Sequence, residues 1–156
     1  MRLLPALATV VAMFGSSGAA LAADVTARDP QTVLDALSAL GYRGTLEKMD
    51  SGRMSIAVPI SGLNTFIDFY DCDDKLEDCY TLLFVVVLDL KDGATLNQAN
   101  SWNAKEITGR VSLDDNGDPQ LDYAVSTFEG IPESVFEQTV KLWDRKLGDM
   151  KDYFHF

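Results

Sequence analysis

The run from Tyr80 to Leu88 constrains this chain more than any other segment. Leu82, Phe84, Val86 and Leu88 alternate with Leu83, Val85 and Val87, so an extended backbone here is apolar on both faces. A strand of that kind sits inside a sheet and needs cover on both sides. Helices of the same chain supply one cover. A further helix or a second copy of the chain supplies the other, and the second copy makes a homodimer one expectation. A central strand sandwiched within one subunit meets the same need without a dimer.

The other elements arrange themselves around that strand. Asp29-Pro30 opens a helix, with Asp as the cap and Pro in the first turn, and Val33, Leu34, Leu37 and Leu40 recur at helical spacing before Gly41. Thr45 to Met49 and Met54 to Ile60 flank the turn Asp50-Ser51-Gly52-Arg53 and read as a hairpin. Ser61-Gly62 breaks the chain, and Thr65 to Asp71 is the next strand. After the doubly apolar strand, Thr95 caps a helix that runs to about Asn103 and carries Leu96, Ala99 and Trp102. Ile107 to Leu113 and Pro119 to Val125 then flank Asp115-Asn116-Gly117-Asp118, whose Asn-Gly step suits a tight turn with positive φ. Asp114, Asn116 and Asp118 alternate as in a calcium loop, but Gly117 falls one place too early and no Glu closes the loop, so the hairpin reading prevails. The chain ends in a long helix from Pro132 to about Phe154, with Phe136, Val140, Trp143, Leu147, Met150 and Phe154 in one stripe. The order is α-β-β-β-β-α-β-β-α, an α+β class with a largely antiparallel sheet. A length of 156 residues suits one domain.

The first residues read as an export signal rather than as part of the fold. Arg2 precedes an apolar run from Leu3 to Phe14, and Ala20-Leu21-Ala22 offers small residues at a cleavage point. The run is roughly 12 residues long against the ~20 needed to span a bilayer. The expected organisation is a cleaved signal peptide at 1–22, a linker at 23–28 and one domain at 29–156. The mature protein is expected in the periplasm or secreted, without stable membrane association. In an oxidising compartment the only two cysteines, Cys72 and Cys79, are expected to form a structural disulfide across one loop. Two free thiols or a thiol redox pair are the alternatives. Closing so short a loop stabilises a fold by about 2.5 kcal/mol in the chain-entropy model.

The residue types present exclude much chemistry. A net charge of −11, from 13 basic and 24 acidic residues, argues against nucleic acid as a partner. The single histidine, His155, leaves Ser-His and Cys-His catalysis without a base in the body of the chain. There is no G-x-S-x-G, no phosphate-cradling glycine loop and no H-E-x-x-H, so no catalytic residue and no cofactor is expected. A small carboxylate-based hydrolase is the remaining enzyme alternative. Asp71, Asp73, Asp74, Glu77 and Asp78 surround the cysteine loop and make Ca²⁺ a weaker alternative, with a solvated turn as the simpler account. Trp102, Asn103 and Arg110 are candidate interaction residues, because Trp and Arg dominate binding hot spots. The simpler account puts Trp102 in the core and pairs Arg110 with an Asp.

Several of these residues, taken in order, resemble the YbjN-like bacterial family. They are Gly41-Tyr42, Asp71-Cys72 with Cys79, Asp89-Leu90-Lys91-Asp92-Gly93, Asn100 with Trp102-Asn103, Arg110, Leu113-Asp114, Gly117-Asp118 and Trp143. The resemblance runs from roughly Asp29 to Phe154. It implies a fold similar to that of type III secretion chaperones, and hence a protein-binding and dimeric module of unknown target. The family has no established catalytic residues to carry over, and its label of sensory transduction regulator names no mechanism. An exported member departs from those cytosolic chaperones in location.

Overall fold

The computed structural model describes residues 24–156; the expected signal segment and Ala23 lie outside them. Helix α1 (Pro30–Ala39) is capped by Asp29, whose carboxylate accepts the Gln31 N–H, and it ends at Leu40 before Gly41 turns left-handed. Four strands follow: β1 (Thr45–Lys48), β2 (Met54–Ile60), β3 (Leu63–Tyr70) and β4 (Thr81–Val87). Helix α2 (Leu96–Lys105) starts at a capping box of Thr95 and Gln98. Strands β5 (Arg110–Leu113) and β6 (Pro119–Ser126) precede helix α3 (Glu133–Phe154). The fold is α+β in the expected order, α-β-β-β-β-α-β-β-α.

The strands form one antiparallel sheet of six in the order β1-β2-β3-β4-β6-β5. The doubly apolar strand β4 is central, between β3 and β6. Ile56, Ile67 and Phe84 stand in register and face the helices, as do Phe69 beside Leu82 and Val86 beside Leu121. The stripe on α3 lies over them: Phe84 meets Phe136 and Trp143 with ring centroids 6.4 and 5.8 Å apart. All six residues of the expected stripe are buried. No helix among the described residues is long and apolar enough to cross a membrane.

Two local expectations are corrected. The turn with positive φ at both central residues is Ser61-Gly62, between the paired Ile60 and Leu63, whereas at Asn116-Gly117 only Gly117 has positive φ. The β5–β6 loop is instead held by Asp114, whose carboxylate accepts the N–H groups of Asn116 and Asp118. Strand β5 begins at Arg110 rather than Ile107. Gly109, at φ +78°, lies so close to Leu121 that a Cβ would come within 2.8 Å of it, and Ile107 before it is fully exposed.

Candidate functional site

The second face of the sheet carries the candidate site, because no helix covers it among the described residues. Register places its side chains in rows across the strands. One row runs Thr45, Ala57, Phe66, Val85, Asp122 and Arg110, through all six strands. The next runs Glu47, Ser55, Asp68, Leu83 and Ala124. Phe66 is 40% exposed and Val87 42%, while Leu83 and Val85 between them are half-buried. A central strip of apolar side chains is thus flanked by polar ones on both edges.

The face is concave near β1. A pocket of about 580 Å³ opens there, lined by Phe66, Tyr70, Leu83 and Val85, with Glu47 and Asp50 among its charged lining. Asp68 also lines it and is only 8% exposed. Its Oδ1 accepts the Ser55 hydroxyl at 2.6 Å, and no basic side chain among the described residues lies within ion-pair reach of it. At the end of the same strand the Arg53 guanidinium lies 4.0 Å from the centre of the Tyr70 ring.

Of the three interaction residues singled out in the sequence, only Arg110 lies on this face. Trp102 is 2% exposed and packs its ring on Tyr153 and Phe154. Asn103 accepts the Val111 N–H at 2.8 Å and donates to the Val111 carbonyl at 2.9 Å, so it binds its own chain. Arg110 is exposed and pairs with the buried carboxylate of Asp122 at 3.0 Å. That hydrogen bond, more than the charge of Asp122, raises the Arg110 pKa above its ordinary value. Trp102 and Asn103 sit on α2 while Arg110 lies on the open face, so the three do not form one patch.

Cys72 and Cys79 are joined by a disulfide. The loop between them is organised by its own backbone: Asp73 Oδ1 accepts the N–H groups of Lys75 and Glu77, and Asp78 pairs with Arg28 at 3.0 Å. Among the described residues no three His, Cys, Asp or Glu side chains gather closely enough to hold a metal ion. Sequence reasoning passed over Asp68. Its signal is the spacing Phe66, Asp68, Tyr70, which puts a carboxylate between two aromatic rings on one face of a strand.

No curated protein and no solved structure matches the chain. A family model described as "YbjN: Putative bacterial sensory transduction regulator" matches residues 29–156. The chain belongs to the YbjN family.

Proposed function

We propose that this chain is an exported, non-enzymatic regulatory module that works by binding protein through the open face of its sheet. The observation that carries this is the two-sided character of β4. Its inner residues fill the core, and its outer residues, with Phe66 beside them, form an apolar strip that no element covers among the described residues. Sheet dimensions support a macromolecular occupant. Four strands of seven or eight residues and two of four, ~4.8 Å apart, span on the order of 600 Å², near the ~800 Å² per partner of a standard interface.

Export is supported by the Cys72–Cys79 disulfide, which persists in oxidising compartments, and by the signal pattern ending at Ala22. A homodimer is the form of docking that such a face allows without any other protein, two copies meeting strip to strip. Light scattering on the purified protein tests it, with a crosslinkable residue introduced at Phe66. A mass of two chains with Phe66-to-Phe66 crosslinks is expected. A monomer at every concentration removes the dimer, and a crosslinker at Phe66 that captures nothing in the periplasm removes docking through this face altogether.

A further inference from the structure

Asp68 is the least expected residue on the open face. Aspartate is disfavoured in strands, and a carboxylate taken out of water is costly unless a cation or several donors meet it. Here one neutral donor, the Ser55 hydroxyl, meets it, and the residue is more than nine-tenths buried. The pocket above it is walled by Phe66, Tyr70, Leu83 and Val85, and Glu47 and Asp50 add two more acids to its lining. Lys48 is the one basic residue on that lining, and it forms no ion pair with Asp68.

We propose that this pocket receives a lysine side chain of the partner protein, with the ammonium on Asp68 and the methylene stem against Phe66, Leu83 and Val85. The claim rests on docking through the open face and adds the chemistry of the residue received. Charge complementarity favours a cation: three acids against one base line the pocket. Apolar walls, among them the 40% exposed Phe66, favour a cation on a long apolar stem. Lysine fits better than arginine. Ser55 already engages Oδ1, which breaks up the paired oxygens that a guanidinium fork needs, whereas an ammonium acts as a point charge.

The test uses the purified protein, at a concentration where light scattering reports single chains and the open face is free, and three short peptides, each apolar apart from a central Lys, Arg or norleucine. Amide shifts of Phe66, Asp68 and Leu83 are followed by nuclear magnetic resonance during titration. The Lys peptide is expected to saturate these shifts with at least about tenfold higher affinity than the norleucine peptide. Asp68→Asn keeps the shape and can still meet Ser55. It should abolish the preference for Lys while leaving the weak apolar binding. Equal affinity for Lys and norleucine, or a Lys preference that survives in Asp68→Asn, overturns the lysine site and leaves apolar docking standing. Tightest binding by Arg overturns the choice of cation. No shift with any peptide overturns the lysine site too, while crosslinking from Phe66 still judges the docking face on its own.

Discussion

Asn103 closes the outer edge of β5. Val111 turns its N–H and carbonyl away from β6, and the Asn103 amide meets both, as a further strand would. Asn103→Ala leaves those two groups to water or to nothing, and we expect it to cost about 1–3 kcal/mol, read as a lower midpoint in urea unfolding. A wild-type midpoint would mean that the edge is solvated at no cost. Lys146 gives a pH-dependent counterpart. Its ammonium lies between Asp149 and Glu106, 2.7 and 2.5 Å away, and these hydrogen bonds raise its pKa despite the opposing effect of burial. A raised folded pKa means that the stabilisation is complete below the ordinary value of 10.5 and is lost as pH climbs through the higher folded value. Tyr42, raised by burial and by Asp144, titrates in the same direction. Lys146→Met should therefore flatten part of the alkaline loss of stability and leave the Tyr42 part in place. At this scale part was legible in advance: residue type alone put Trp102 in the core and paired Arg110 with an Asp, as the structure has them. Which Asp it is, and that Asn103 meets Val111, are set by packing between elements, which no local pattern encodes.

At the scale of elements the pattern was far more legible, because period and caps are local. The stripe on α3, the Asp29 cap and the alternation in β4 each state their own geometry. The exceptions have identifiable causes. Gly109 takes a left-handed φ of +78°, so β5 starts after it, and Asp114 takes over the turn that Asn116-Gly117 suggests. The β3–β4 connection is the element most exposed to change. It holds the disulfide and left-handed backbone at Asp71, Leu76 and Asp78, all non-glycine residues. Replacing both Cys72 and Cys79 by Ser should cost about 2.5 kcal/mol, the loop-closure entropy restored to the unfolded chain. Asp73→Ala should cost about 1–2 kcal/mol by a different route, since the N–H groups of Lys75 and Glu77 lose their acceptor. The two losses should be less than additive, because both act on one loop. Full additivity in thermal melts would show that disulfide and carboxylate hold separate structures.

The whole molecule turns on one sheet with two unlike faces. Period-two alternation in β4 announces that both faces are apolar, but only the assembled register shows which strip the helices leave bare. That division makes opposite demands on residues of adjacent strands. Phe84 is fully buried against Phe136 and Trp143, so Phe84→Ala should cost about 3–5 kcal/mol of stability. Phe66 faces the other way and is 40% exposed, so Phe66→Glu should shift stability by only about 0.5 kcal/mol. Its effect belongs instead to association. A carboxylate at the centre of the strip, beside Val85 and Ala57, would have to be desolvated without a partner when the face is covered. Urea unfolding and light scattering on the same two variants separate the cases. Phe84→Ala should lose stability and, where still folded, keep its assembly state, while Phe66→Glu should keep stability and lose its partner. If Phe66→Glu unfolded the protein as readily as Phe84→Ala, the outer strip would be part of the core after all, and the bare face would have no claim to be a binding surface.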